Sequence, residues 1–85
     1  MADVIVGFKV MPATVEEDLD KIEKEIKEKI KPQKMSREDI AFGLVAIHIV
    51  KLVEDAEGTL DAVEKQLRAI KGVGEVEVTG MTRSL

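Results

Sequence analysis

The sequence predicts an α+β fold of four strands and two helices in the order β-α-β-β-α-β. Two observations carry this prediction. In two stretches, 14–30 and 59–71, apolar residues recur at three- and four-residue steps, the period of a helix with one buried side. The stretches before, between and after them mostly alternate between apolar and polar residues, as strands do. No segment remains for a second domain, so we expect residues 1–85 to form one.

The first strand is predicted over Asp3–Met11, and Pro12 ends it because proline cannot donate to a sheet ladder. The residues expected to face the core are Val4, Val6, Phe8 and Val10.

The first helix is predicted over Thr14–Ile30, since Thr14 and Glu17 have the spacing of a capping box. Its expected buried stripe is Val15, Leu19, Ile22, Ile26 and Ile30. Its other side is charged, with favourable i,i+4 pairs at Glu17–Lys21, Asp20–Lys24, Glu23–Lys27 and Glu25–Lys29. We interpret this side as a solvated helix face rather than an acidic docking surface.

The middle of the chain predicts an edge strand followed by a central one. The charged segment Gln33–Asp39 suits a sheet edge, and Ile40–Gly43 is predicted to be a turn or loop. Leu44–Val53 is the most apolar strand, and we expect it to be covered on both faces. An acidic turn, Glu54–Gly58, follows it.

The second helix is predicted to be capped by Gly58 or Thr59 and to run to about Lys71, with Gly72 as the expected C-cap. Its expected buried stripe is Leu60, Val63, Leu67 and Ile70. The last strand is predicted from Val73 to about Met81, with Val76 and Val78 facing inward and Glu75 and Glu77 outward, and residues 82–85 form a tail.

This order of elements is the split βαβ, or ferredoxin-like, arrangement. Right-handed crossovers place both helices on one face of a four-stranded antiparallel sheet, in which the first and third strands are central. The same fold hosts many unrelated activities, so it does not give the function.

Composition argues against several classes of function. The chain has no cysteine, a formal net charge of −4, and neither tryptophan nor tyrosine. Nucleic-acid binders need basic patches and often aromatic platforms, so we expect no direct nucleic-acid partner. A start without a signal peptide and the lack of a long apolar run lead us to expect a cytoplasmic protein with no membrane partner.

We expect no catalytic residue, no metal site and no cofactor. His48 is the one histidine, so a zinc site lacks partners. His48 lies mid-strand, where a partner interface is one interpretation and a tolerated polar ring is the more common one. Phe42 precedes Gly43, and pattern alone would place this phenylalanine in the core by default.

The chain resembles the elongation factor 1-beta family in its archaeal, bare-domain form. The resemblance spans nearly the whole chain and depends on the order of its motifs. These are Asp3–Val6, Lys9–Pro12, Ile40–Leu44, Val53–Gly58, Ile70–Val73 and Val76–Val78.

The resemblance implies an exchange factor without covalent chemistry of its own, which binds the GTPase elongation factor 1-alpha and promotes replacement of GDP by GTP. It implies that the turn Ile40, Ala41, Phe42 and Gly43 contacts the GTPase, with the aromatic ring projecting from one end of the domain. It implies a C-terminal basic residue near the nucleotide and magnesium site of the GTPase. Arg83 is the nearest match, whereas eukaryotic members carry a lysine next to the last residue.

A second hypothesis remains open beside the resemblance. A ferredoxin-like domain can act as a dimeric regulatory module that binds a small molecule across its interface. An apolar exposed sheet face and a stable dimer would favour that function.

Overall fold

The computed structural model describes residues 3–54 and 58–83. The six elements are β1 (Asp3–Pro12), α1 (Leu19–Lys29), β2 (Lys34–Ala41), β3 (Leu44–Glu54), α2 (Thr59–Arg68) and β4 (Val73–Arg83). The strands form one antiparallel sheet in the order β2-β3-β1-β4. The ferredoxin-like prediction is therefore confirmed, with β1 and β3 central and the charged β2 at an edge.

A single apolar core joins one face of the sheet to both helices. Alternate residues of β1 point into it, and Phe8 and Val10 are completely buried there. Residues from α1 and α2 belong to the same cluster, so both helices cover the same face. The helix residues that it contains are Ile22, Ile26, Ile30, Val63, Leu67 and Ile70.

Helix α1 begins at Leu19, so the prediction of a start at Thr14 was wrong. The N-cap is Asp18, whose Oδ1 accepts hydrogen bonds from the backbone N–H groups of Asp20 (3.1 Å) and Lys21 (3.3 Å). The preceding segment packs against the α2–β4 connection instead, where Ala13 N donates to Gly72 O at 2.8 Å. Val15 is consequently 58% exposed rather than part of the buried stripe.

The charged side of α1 also differs from the prediction. Among the described residues, Glu25–Lys29 is the only one of the four expected i,i+4 pairs within ion-pair distance, at 4.0 Å. Asp20 and Glu23 bind Arg37 of β2 instead. A contact that is distant in sequence thus replaces two local ones.

Helix α2 follows Gly58, and its C-cap is Ala69 rather than Gly72. Gly72 has φ of 96° in the turn beyond the helix, and a Cβ atom there would lie 2.9 Å from Glu17 Oε1. The backbone conformation therefore favours glycine, whereas the flexible Glu17 side chain could move away from an added Cβ. Of the predicted acidic turn, Asp55–Glu57 lies outside the described residues.

Two strand predictions need correction. The helices cover β3 on one side only, where Ile47 and Ile49 are buried. We call the opposite side of the sheet the open face. On that face Ala46 is buried, but Val50 is half-buried and Leu52 is 37% exposed. β4 continues beyond Met81 to Arg83, so Thr82 and Arg83 are strand residues rather than a tail. Residues 84–85 lie outside the description.

Neither described helix is long and apolar enough to cross a membrane.

Candidate functional site

The turn between β2 and β3 consists of two residues only. Ala41 pairs with Leu44, which leaves Phe42 and Gly43 as the loop, whereas the sequence predicted a loop from Ile40. Both loop residues have positive φ, 53° at Phe42 and 81° at Gly43. Two successive positive φ values are what a type I′ hairpin turn requires, and asparagine-glycine is the pair that usually supplies them.

Phe42 is an unusual residue for this position. A left-handed backbone costs an L-amino acid with a Cβ roughly 1–2 kcal/mol, and aromatic residues seldom adopt it. The side chain is also 100% exposed, so it gains no compensating burial within the domain. A strained backbone that presents a fully exposed aromatic ring is a feature that the fold does not need for its own stability.

The turn is carried by a two-stranded ribbon that extends beyond the rest of the sheet. The last pair between β3 and β1 is Ile47 with Val10. Beyond it, Leu44–Ala46 pair only with β2. We call residues 38–46 the ribbon; at the usual rise per residue, Leu44 lies about 10 Å past the last β1–β3 pair, although β1 itself continues to Pro12.

Ile40 and Ala41 lie in the ribbon, next to the turn. The pairing register skips Ile40, which is a bulge between the Asp39–Val45 and Ala41–Leu44 pairs. Ile40 is 39% exposed, and Ala41 is exposed as well. The four turn residues singled out from the sequence therefore form one exposed end of the molecule.

Arg83 lies at the other end of the sheet. Its backbone pairs with Val4, which also pairs with Val53 near the end of β3. From Leu44 to Val53 the strand spans about 30 Å. The structure does not bring Arg83 together with Phe42, and it describes Arg83 by its backbone alone.

Two charged residues near the turn were missed by the sequence analysis. Arg37 holds α1 from the helix side of β2: its Nε and Nη2 donate to Glu23 at 2.9 and 2.8 Å, and Nη2 donates to Asp20 at 2.7 Å. The hydrogen bond to Glu23, and then the one to Asp20, raises the pKa of Arg37 above its ordinary value. The sequence held one usable sign of this contact. Alternation along the predicted edge strand places Arg37 on the same face as the apolar Met35, which is the face expected to be turned toward the helices.

Glu38 makes the corresponding contact on the open face of the sheet. Its Oε1 lies 2.7 Å from Nε2 of His48, one strand away. The hydrogen bond and the charge of His48, with a smaller contribution from Lys9, lower the pKa of the Glu38 carboxyl. His48 is thus half-buried on the open face and hydrogen-bonded within the hairpin.

Residues 3–54 and 58–83 contain no group of three or more acidic or histidine side chains that could hold a metal ion. A groove of about 520 Å³ is lined by Ile22, by charged residues on α1 and just before it, and by Lys71, and none of the site residues named above lines it. The ribbon end presents one fully exposed aromatic side chain, Phe42.

Comparison with known proteins gives a consistent result along the chain. Residues 5–83 match the family described as the EF-1 guanine nucleotide exchange domain. The chain is 44% identical over 87 residues to elongation factor 1-beta of Methanothermobacter thermautotrophicus, with 98% of each protein covered. It is 42% identical over 86 residues to elongation factor 1-beta of Thermoplasma volcanium, covering 96% of this chain and 98% of the relative. The protein of the same name from Metallosphaera sedula is 40% identical over 88 residues, with 98% and 97% covered.

Proposed function

The chain belongs to the elongation factor 1-beta family of guanine nucleotide exchange domains, and on that premise we propose that it accelerates release of GDP from elongation factor 1-alpha. GTP then enters the emptied site. Residues 1–85 act as one exchange domain in the cytoplasm, and the factor performs no covalent chemistry of its own.

The observation that carries this proposal is the complete exposure of Phe42 on a left-handed turn. An aromatic side chain buries roughly 150–250 Å² when it enters a pocket, and such residues dominate binding energy at interfaces. Phe42 offers this area at the tip of an overhanging ribbon, so it can enter a partner without moving the core. Ile40, Ala41 and Gly43 surround it as the rim of the contact.

Exchange requires selective binding rather than a nucleophile. A factor that binds the nucleotide-poor conformation of the GTPase better than the GDP-bound one shifts the population toward release. By linkage, GDP must weaken binding of the factor by the same ratio. A rigid domain that is anchored on the GTPase by one side chain is sufficient for such selective binding.

Arg83 provides the second contact of the proposal. Its backbone lies at the other end of the sheet, about 30 Å from the turn along the strand direction, so the two residues contact separate surfaces of the GTPase. The guanidinium is always charged, and it competes with magnesium for the negative groups around the nucleotide. Phe42 therefore supplies affinity, and Arg83 supplies the disturbance of the nucleotide site.

The test measures release of labelled GDP from elongation factor 1-alpha as the factor is titrated. Phe42→Ala is expected to raise the half-saturating concentration by about 30-fold or more, the effect of losing a hot-spot residue worth about 2 kcal/mol. Val15→Ala is the matched control, because Val15 is also an exposed apolar side chain and has no role in the proposal. No acceleration by the wild-type chain would overturn the function.

Arg83→Ala tests the second contact in the same assay. It is expected to lower the limiting release rate at saturating factor while leaving the half-saturating concentration nearly unchanged. An unchanged limiting rate would remove Arg83 from the mechanism. If the wild-type chain neither accelerates release nor stays monomeric in sedimentation, the dimeric regulatory module becomes the better hypothesis.

A further inference from the structure

Arg37 lies at the root of the ribbon. It pairs with Ile47, which is also the last residue of β3 that pairs with β1. One residue further toward the turn, at Ala46, β3 has a pairing partner only in β2, although Ala46 itself is still buried. Arg37 therefore marks the end of the β1–β3 ladder, beyond which the hairpin makes no further pairs with β1.

Three hydrogen bonds join this root to α1. The guanidinium binds both carboxylate oxygens of Glu23 and one oxygen of Asp20, all within 2.9 Å. A planar fork of donors fixes direction as well as distance, which a single ammonium group would not do. Glu23 is only 19% exposed, so its carboxylate has a defined position on the helix surface.

Little else holds β2 to the helix layer. Met35 is the one half-buried residue of β2, and its other residues are exposed. Within the described part of the chain, the only side-chain hydrogen bonds from β2 to α1 are those of Arg37. A two-stranded ribbon is marginally stable by itself, so the direction of its tip depends on how its root is fixed.

We propose that Arg37 is a positioning residue: by tying the root of the ribbon to α1, it sets the direction in which Phe42 meets the GTPase. This inference rests on the proposed function. A mobile segment that becomes ordered only when its partner binds reduces the affinity of the complex. Because Arg37 already fixes the ribbon in the folded domain, binding does not have to order it.

Arg37→Gln is the first test, in the GDP-release assay. The half-saturating concentration is expected to rise about three- to tenfold, because the ribbon would then have to be ordered at the moment of binding. The limiting rate at saturating factor stays unchanged, because Arg83 and the far end of the sheet are unaffected. Arg68→Gln is the matched control: it removes an exposed guanidinium 3.9 Å from Glu64 on α2, away from the ribbon.

Double-mutant cycles separate positioning from direct contact. Glu23→Gln should reproduce the effect of Arg37→Gln, and the two together should add little to either. In a Phe42→Ala background, Arg37→Gln should have no further effect, because there is no anchor left to position. An undiminished effect in that background would mean that Arg37 contacts the GTPase itself, which would overturn the proposal.

A measurement on the protein alone keeps this inference separate from the proposed function. The backbone amide of Gly43 should show a lower NMR order parameter in Arg37→Gln than in the wild-type chain, while Gly7 in the centre of the sheet keeps its value. An unchanged order parameter at Gly43 would refute positioning by Arg37. Failure of wild-type exchange would refute the function and leave this result to decide the role of Arg37.

Discussion

The chain has two phenylalanines, and the fold treats them in opposite ways. Phe8 lies in the middle of β1 and is 0% exposed, whereas Phe42 lies at the tip of the ribbon and is 100% exposed. Phe8 has strand neighbours on both sides, Ile49 and Val78. Phe42 has a left-handed backbone and no strand partner.

The two rings have opposite effects on the stability of the isolated domain. The centre of β1 supplies packing, since its ring contributes to a core shared by both helices. The ribbon tip contributes backbone strain and an exposed apolar surface, both of which disfavour the isolated domain. A partner that buries the ring recovers that surface. The comparison therefore separates a ring that packs in the core from a ring for which we propose a role in binding.

Phe8→Ala should produce the largest effect. Truncating a fully buried phenylalanine typically costs about 3–5 kcal/mol of unfolding free energy, a large fraction of the stability of a small domain. Urea denaturation measures the loss, and Phe8→Leu should retain most of the stability. If Phe8→Ala were no less stable than the wild-type chain, the assignment of the core would be wrong.

Phe42→Asn should move stability in the opposite direction. Asparagine tolerates the left-handed backbone and forms the preferred Asn-Gly turn, so the domain should gain about 0.5–1 kcal/mol. GDP release should meanwhile fall to the level of Phe42→Ala. A variant that lost stability would show that the ring contributes to the fold.

The smallest effect concerns the contact of Glu38 with His48 beside the ribbon. In the folded state the pKa of Glu38 lies below its ordinary value of 4.5. The charged carboxylate therefore stabilises the fold fully at pH values above 4.5. This contribution is lost as the pH falls through the lowered pKa. Glu38→Gln should therefore be less stable than the wild-type chain at about pH 5, and the difference should shrink as the solution is made more acidic. A difference that persisted unchanged in acid would exclude this carboxylate as its source.

Much of the fold could be predicted because local patterns agree with the tertiary structure. Alternation in β1 identified its buried face, and the stripes of both helices identified most of their core residues. The charged composition of β2 indicated an edge. The candidate turn was different: the aromatic-glycine pair drew attention to it, but pattern favoured a buried Phe42, and only the family resemblance pointed to an exposed one.

The missed features depend on contacts between distant segments. Thr14 and Asp18 both offer an N-cap, and packing against the α2–β4 connection selects Asp18. Glu23 has a lysine one turn away, but Arg37 offers a bidentate contact that no local pattern displays. The apolar residues on both faces of β3 suggested double coverage, although both helices pack on the same side.

The sequence by itself determined the order of elements, the buried face of β1 and the edge position of β2, because these depend on periodicity and charge along a few neighbouring residues. Tertiary structure alone decided the pairing register. That register ends the β1–β3 ladder at Ile47, leaves the ribbon overhanging and brings Arg37 to α1. Register is set by how whole faces pack against each other, so the exposed position of Phe42 is a property of the assembled sheet.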